Sequence, residues 1–209
     1  MNDSPLSSDS LDIDLILAAK RDDENAFKVL VDRYLPSVYG FCTRYTGNPS
    51  DAEDAAQEAF LKAWRHLGRF DTQKSFKTWL FAIAKNSATD IMRKRRSVNI
   101  SQFDTADDSN VLIDTLADPE PLPEELFERA SLATEVREAL AILKPRDQTI
   151  LDLRYTEDLS FEDIAKILRI SPNTIRSLHR RALIALRKVL SHAISDNSDK
   201  KATINRPAR

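Results

Sequence analysis

Glycine occurs only three times in this chain of 209 residues, at Gly40, Gly47 and Gly68. Average usage is roughly 7%, so turns that need a positive φ and backbone that lies close against a phosphate are scarce here. No segment places two glycines at the spacing of a phosphate-cradling loop or a dinucleotide fingerprint. The chain is thereby directed toward helices and toward binding by side chains. No apolar run approaches the ~20 residues that span a bilayer, and the acidic opening Met1 to Asp14 lacks the basic and apolar regions of a secretion signal. The expectation is a soluble, cytoplasmic protein. Cys42 is the single cysteine, so no internal disulfide forms, and its neighbours Phe41 and Tyr45 predict a buried thiol.

The formal net charge of -2 conceals a sorting of charge into blocks. From Lys74 to Arg96 seven basic residues face the single acid Asp90, and the next stretch reverses sign, with nine acids from Asp104 to Glu128. Pro119, Pro121 and Pro123 interrupt helix there and favour extended backbone. A second basic block, Arg169 to Lys188, contains no acid. These shifts predict a helical domain over 11–96, a flexible acidic linker over 97–130, a second helical domain over 131–191 and a disordered tail over 192–209. The fold class is all-α: two small helical domains joined by the linker.

Before the linker, Phe27, Leu30, Val31, Tyr34, Val38, Phe41, Cys42 and Tyr45 recur at three- and four-residue steps. Pro36 lies inside this stripe and predicts a kink or a break. A further helix starts with Ser50 as N-cap and Glu53 at the capping-box position, and it buries Ala52, Ala55, Ala56, Phe60, Ala63, Trp64 and Leu67. The next runs from about Ser75 into Arg96, with Phe76, Trp79, Leu80, Ile83, Ala84 and Ile91 inward; Leu11 to Lys20 adds a short opening helix. After the linker, Leu132 to Leu143 and Ile150 to Tyr155 form two more helices, separated by Lys144-Pro145.

The stretch from Leu159 to Val189 is the most informative. Ser160 and Ser171 each stand where an N-cap is needed, with apolar staples in Leu159 with Ile164 and Ile170 with Ile175. Pro172 takes the first helical position, where its missing N–H costs nothing. Two capped helices joined by a short turn around Arg169-Ile170 are a helix-turn-helix. On the second helix Ile175, Leu178, Ala182, Leu186 and Val189 form the inner stripe, which leaves Thr174, Arg176, Ser177, Arg180, Arg181, Arg187 and Lys188 outward. Arginine's planar fork matches guanine O6 and N7, and serine and threonine reach phosphates or bases, so this face suits a DNA major groove. Arg187 and Lys188, further along, suit phosphate neutralisation.

The segments Asp51-Ala-Glu-Asp-Ala-Ala-Gln-Glu-Ala-Phe-Leu-Lys-Ala-Trp64, Phe76-Lys-Thr-Trp-Leu-Phe-Ala-Ile-Ala-Lys-Asn86, Leu159-Ser-Phe-Glu-Asp-Ile-Ala-Lys-Ile-Leu168 and Ser171-Pro-Asn-Thr-Ile-Arg-Ser177 together resemble the extracytoplasmic-function sigma factors of bacterial RNA polymerase. The resemblance covers roughly 11–190, both domains in the family's order. It implies a sigma factor without catalytic residues or cofactor that binds core polymerase through its β′ and β subunits, recognises the -10 and -35 promoter elements, and is held by an anti-sigma factor. The helix like Asp51 to Trp64 is implied to dock on a coiled coil of β′, through Asp54, Gln57, Glu58 and Leu61. The helix from Ser75 to Arg96 is implied to open and read the -10 element, with Asn86 offering donor and acceptor to a base edge and Lys77, Lys85, Arg93, Lys94, Arg95 and Arg96 following the backbone. His66 to Lys74 matches the variable specificity loop; Trp79, in register with Phe76 and Ile83, belongs to the core.

The second helix of the helix-turn-helix corresponds to the -35 reader, with Arg176, Ser177, Arg180 and Arg181 at matching positions. The chain departs from the family where a basic residue gives way to Leu178, a leucine to His179 and a basic residue to Leu183, which implies a slight change of helix register. Metal binding has little support, because His66, His179 and His192 are far apart and there is no second cysteine. By its residues alone, the helix-turn-helix also fits a plain DNA-binding regulator. A helical adaptor or a helical hydrolase fits less well, the latter for want of clustered histidines or a nucleophile context.

Overall fold

The computed structural model describes residues 8–100 and 136–204, with side chains described over 12–95 and 136–190. The expected linker from 101 onward lies outside the described residues. Every described element is helical: α1 (Ser8–Ala19), α2 (Glu24–Thr46), α3 (Pro49–His66) with a 3-10 turn (Leu67–Arg69), α4 (Phe76–Ile100), a described part of α5 (136–141), α6 (Pro145–Tyr155), α7 (Phe161–Leu168) and α8 (Pro172–Ile204).

The predicted stripes become the core. In α2, Leu30, Tyr34, Val38, Phe41 and Cys42 are buried, and α3 turns Ala52, Ala55, Ala56, Ala59 and Ala63 toward them. These small residues let α2 and α4 approach α3 closely, and Phe76, Leu80 and Phe81 of α4 fill the remaining space. Each such aromatic or leucine contributes about 1.5–3 kcal/mol on burial. Trp79 is half-buried and packs against that core, its ring tilted at 4.9 Å from Phe70 and 5.7 Å from Phe76. Burial pushes the Cys42 thiol up to about 12, far from the range of a reactive cysteine.

Two local expectations are corrected. Of the kink or break expected at Pro36, the break does not occur: helix α2 runs continuously through it. The carbonyl of Asp32 has no proline N–H to accept from there, but Asp32 and Pro36 both lie on the exposed side, where an unpaired carbonyl costs little, while buried residues on either side hold the helix. Helix α3 begins at Pro49 rather than after Ser50: Asn48 is the cap, and its side chain accepts from Asp51 N at 3.0 Å. Gly47, at φ 68°, closes α2 by donating to Thr43 O at 2.9 Å. One glycine-asparagine pair thus ends one helix and starts the next, and the fixed φ of Pro49 sets the register. At their far ends α4 continues to Ile100 and α8 to Ile204, past the expected boundaries at 96 and 191. Adding a residue to an existing helix costs far less than nucleating one, and neither extension contains proline or glycine.

The two halves form one continuous apolar cluster, in which Ile150, Leu153, Leu159 and Ile164 adjoin the core of the first four helices. Helix α7 packs on α4, and α6 on α2. Among the described residues, two ion pairs cross this contact. Lys77 Nζ bonds both the carboxylate and the carbonyl oxygen of Glu157, each at 2.7 Å, and Arg44 pairs with Asp152. Burial raises the Asp152 pKa even though the Arg44 guanidinium pulls it down. A carboxyl whose folded pKa is raised holds its proton more tightly in the native state, so its stability contribution is present at low pH and lost as pH rises through the folded value. Asp152→Asn is therefore expected to leave the thermal midpoint at pH 7 unchanged or slightly higher. Its difference from wild type should vanish on acidification below the usual carboxylate range, as read by calorimetry across pH; a clear loss of stability at pH 7 would contradict this.

Candidate nucleic-acid and protein interfaces

The helix-turn-helix is built as its caps predict. Ser160 Oγ accepts from Asp163 N at 3.1 Å and Ser171 Oγ from Thr174 N at 3.2 Å. Between the helices Arg169 occupies the left-handed region at φ 56°, and Ile170 N donates to Ala165 O at 3.1 Å. An L-residue there costs about 1–2 kcal/mol. Arg169→Gly is expected to raise stability by roughly 0.5–1 kcal/mol after the extra freedom of unfolded glycine is subtracted. Urea denaturation checks this, with Arg169→Ala as the control that gains nothing.

Helix α8 buries Ile175, Leu178 and Ala182 and leaves Thr174, Arg176, Ser177, Arg180, Arg181, Arg187 and Lys188 all exposed. Leu178 is thus a support residue, and His179 sits between faces: its Nε2 lies 3.1 Å from Tyr155 Oη, and its ring meets Phe161 edge-on at 5.1 Å. Burial, with the Arg154 charge, lowers its pKa. The face it borders is cationic and open, the geometry that a duplex groove requires.

The basic helix α4 is less uniform than its sequence implies. Lys77 and Arg93 lie sixteen residues apart on it, roughly 24 Å, so the candidates are spread along most of its length. Lys77 is half-buried, and its ammonium is held by Glu157. Lys85 and Asn86 are half-buried. Arg93 pairs with Asp90 at 3.2 Å, Arg95 pairs with Asp51 at 2.8 Å, and Lys94 is exposed. The side chain of Arg96 lies outside the described residues. The partners of Lys77 and Arg95 come from other helices or loops, so no pattern within α4 could disclose them.

Helices α2 and α3 enclose an apolar groove of about 540 Å³ lined by Glu24, Phe27, Val31, Leu35, Gln57, Phe60, Leu61 and Trp64. Leu61 is 50% exposed at its wall. Gln57 and Leu61 of the predicted docking set therefore line one concave surface, Asp54 is exposed outside the groove lining, and Glu58 is half-buried and pairs with Lys62 at 3.4 Å. Periodicity alone assigns Phe27 and Val31 to the core and leaves Leu35 without a role. Their four-residue spacing beside Leu30 and Tyr34 is the signal of the groove: two apolar stripes are more than one buried face can absorb.

The family model described as Sigma-70 region 2 matches residues 30–98, and that described as Sigma-70, region 4 matches 139–188. The chain is 32% identical over 176 residues to the ECF RNA polymerase sigma factor SigW of Bacillus subtilis, covering 84% of this chain and 94% of that one. It is 36% identical over 183 residues to the RNA polymerase sigma-H factor of Pseudomonas aeruginosa, covering 86% and 93%. Among solved structures it is similar, at TM-score 0.57 and 27% identity over 79% of this chain and 96% of the other, to the sigma factor RpoE of Bartonella quintana, seen with the anti-sigma factor NepR. With both regions in order and relatives matched along nearly their whole length, the chain belongs to the extracytoplasmic-function sigma factors of the sigma-70 family, and it directs promoter-specific initiation by RNA polymerase.

Proposed function

We propose that this sigma factor works through three surfaces, one for each helical feature described above. The groove between α2 and α3, with Asp54, Gln57, Glu58 and Leu61, receives the coiled coil of the polymerase β′ subunit. The α4 face, with Lys77, Lys85, Asn86, Arg93, Lys94, Arg95 and Arg96, holds the opened -10 element. The α8 face, with Thr174, Arg176, Ser177, Arg180, Arg181, Arg187 and Lys188, reads the -35 duplex, while the second domain also meets the β subunit. The observation that carries the reading is the arrangement of α8, where a buried stripe of Ile175, Leu178 and Ala182 turns all seven polar and basic candidates to solvent.

The working units are the first domain at 11–96, the acidic linker at 97–130, the second domain at 131–191 and the tail at 192–209. Lys77 reaches a phosphate only after it leaves Glu157, so the -10 role requires the two halves to part. An anti-sigma factor controls the chain, in keeping with the Bartonella quintana relative, which is in complex with one. The protein acts in the cytoplasm, and no helix among the described residues is long and apolar enough to cross a membrane. It supplies specificity and no catalytic group of its own.

The test is reconstitution. Full-length chain and core polymerase should co-elute on gel filtration, and the complex should initiate at discrete sites on linear genomic fragments that core alone ignores. A chain that binds these fragments as a plain regulator, without joining the polymerase, would overturn the reading.

A further inference from the structure

Arg176 is held differently from the other arginines on the α8 face. Its Nη2 pairs with Glu162 of α7, its Nη1 donates to Asn173 Oδ1 at 3.0 Å, and its guanidinium lies 5.8 Å from the ring centroid of Phe161. Phe161 is itself braced by Arg154 at 5.2 Å and by His179. Arg180, Arg181 and Arg187 have no ion pair or hydrogen bond to any described residue. We infer that Glu162, with the ring of Phe161, is a positioning residue that presets Arg176 for base readout without touching DNA itself. The inference rests on the proposed role of Arg176 in the -35 face.

The pair does not serve stability, since Arg176 and Glu162 side chains are 48% and 54% exposed and surface pairs of that kind contribute little. Orientation is a different matter. A free arginine has many rotamers, and docking it on one base edge costs the entropy of choosing among them. Glu162, Asn173 and Phe161 make that choice before DNA arrives. Of the five N–H donors in a guanidinium, the bonds to Glu162 and Asn173 engage two, which leaves the remainder for a guanine edge. The cost of this arrangement is an acid close to a phosphate backbone, which weakens sequence-independent attraction. Glu162 therefore exchanges affinity for discrimination, and a purely structural residue makes no such exchange.

The experiment uses polymerase holoenzyme reconstituted with the full chain and a promoter-fragment library randomised through the -35 window, with bound DNA sequenced after selection. Arg176→Ala first identifies the base positions that depend on Arg176, with preference there falling about 5- to 150-fold, the range of a bidentate contact. Glu162→Gln is then expected to flatten the same positions by about 2- to 12-fold, the range for one immobilised side chain. Total DNA retained should stay equal or rise, and Glu162→Gln should add nothing in the Arg176→Ala background. Phe161→Leu, which keeps the apolar volume and removes the ring face, should flatten the same positions more weakly.

If Arg176→Ala flattens positions and Glu162→Gln does not, the positioning role is wrong while the reading of Arg176 stands. A uniform loss of DNA across the library for Glu162→Gln, with the preference pattern intact, also overturns it. No flattening with Arg176→Ala removes the reading of Arg176, and the inference with it.

Discussion

Lys77→Ala is expected to lower the stability of the free protein by about 3–5 kcal/mol, the cost of leaving a buried carboxylate without its partner. The Glu157 side chain is 2% exposed, against 25% for Lys77, and one lysine nitrogen serves both its carboxylate and its carbonyl oxygen. Removing the lysine strands a charge in a place that water does not reach. The same reasoning gives the control: in the Lys77→Ala background, Glu157→Gln removes the stranded charge and should recover more than half of the loss. Urea denaturation followed by circular dichroism measures both. A loss below about 1 kcal/mol, the level of an exposed pair, would mean that water reaches Glu157 and that the clasp between the two halves is weak.

Leu61→Arg should reduce binding to core polymerase by about 30-fold or more, the effect of losing a central apolar anchor of an interface, about 2 kcal/mol or above. Leu61 is half exposed on the wall of the α2–α3 groove, so the variant folds normally and its melting curve should overlay that of wild type. An arginine there places a charge over the apolar floor of Phe27, Val31 and Phe60, where a partner would have to desolvate it. Competition with labelled wild-type protein for core enzyme gives the affinity. Arg181→Ala, exposed on α8, should leave core binding intact. Equal losses in both variants would show that the groove is not the docking surface.

These two sites mark the limits of what is legible in the sequence. Leu61 is legible because a helix repeats every 3.6 residues, and a position that falls off the alanine stripe must face outward. The exposed set on α8 is legible for the same reason, and the serine caps locate both helices of the helix-turn-helix. Trp79 and Cys42 follow from their register as well. Pro36 does not break its helix because proline's local effect is set against a buried stripe that outweighs it, and Ser50 misleads because Asn48, two residues earlier, also satisfies the rule for a cap. In both cases the competing local signals are in view, but their relative strengths are not.

The sequence by itself determined the all-α class, the main buried stripes of α2 and α3, the exposed set on α8, the helix-turn-helix and the family, because each depends on residues within a few turns of one another. Only the tertiary structure decided what those faces meet. Glu157 lies 80 residues from Lys77 and Asp152 lies 108 from Arg44, and no periodicity relates residues so far apart. Tertiary packing alone shows that one of the basic residues expected to face DNA is occupied by a buried carboxylate, that a second apolar stripe of α2 lines a groove, and that Arg176 alone among the described α8 arginines is held from a neighbouring helix. Local chemistry dictates the direction in which a side chain points; burial and charge pairing dictate whether anything is already there.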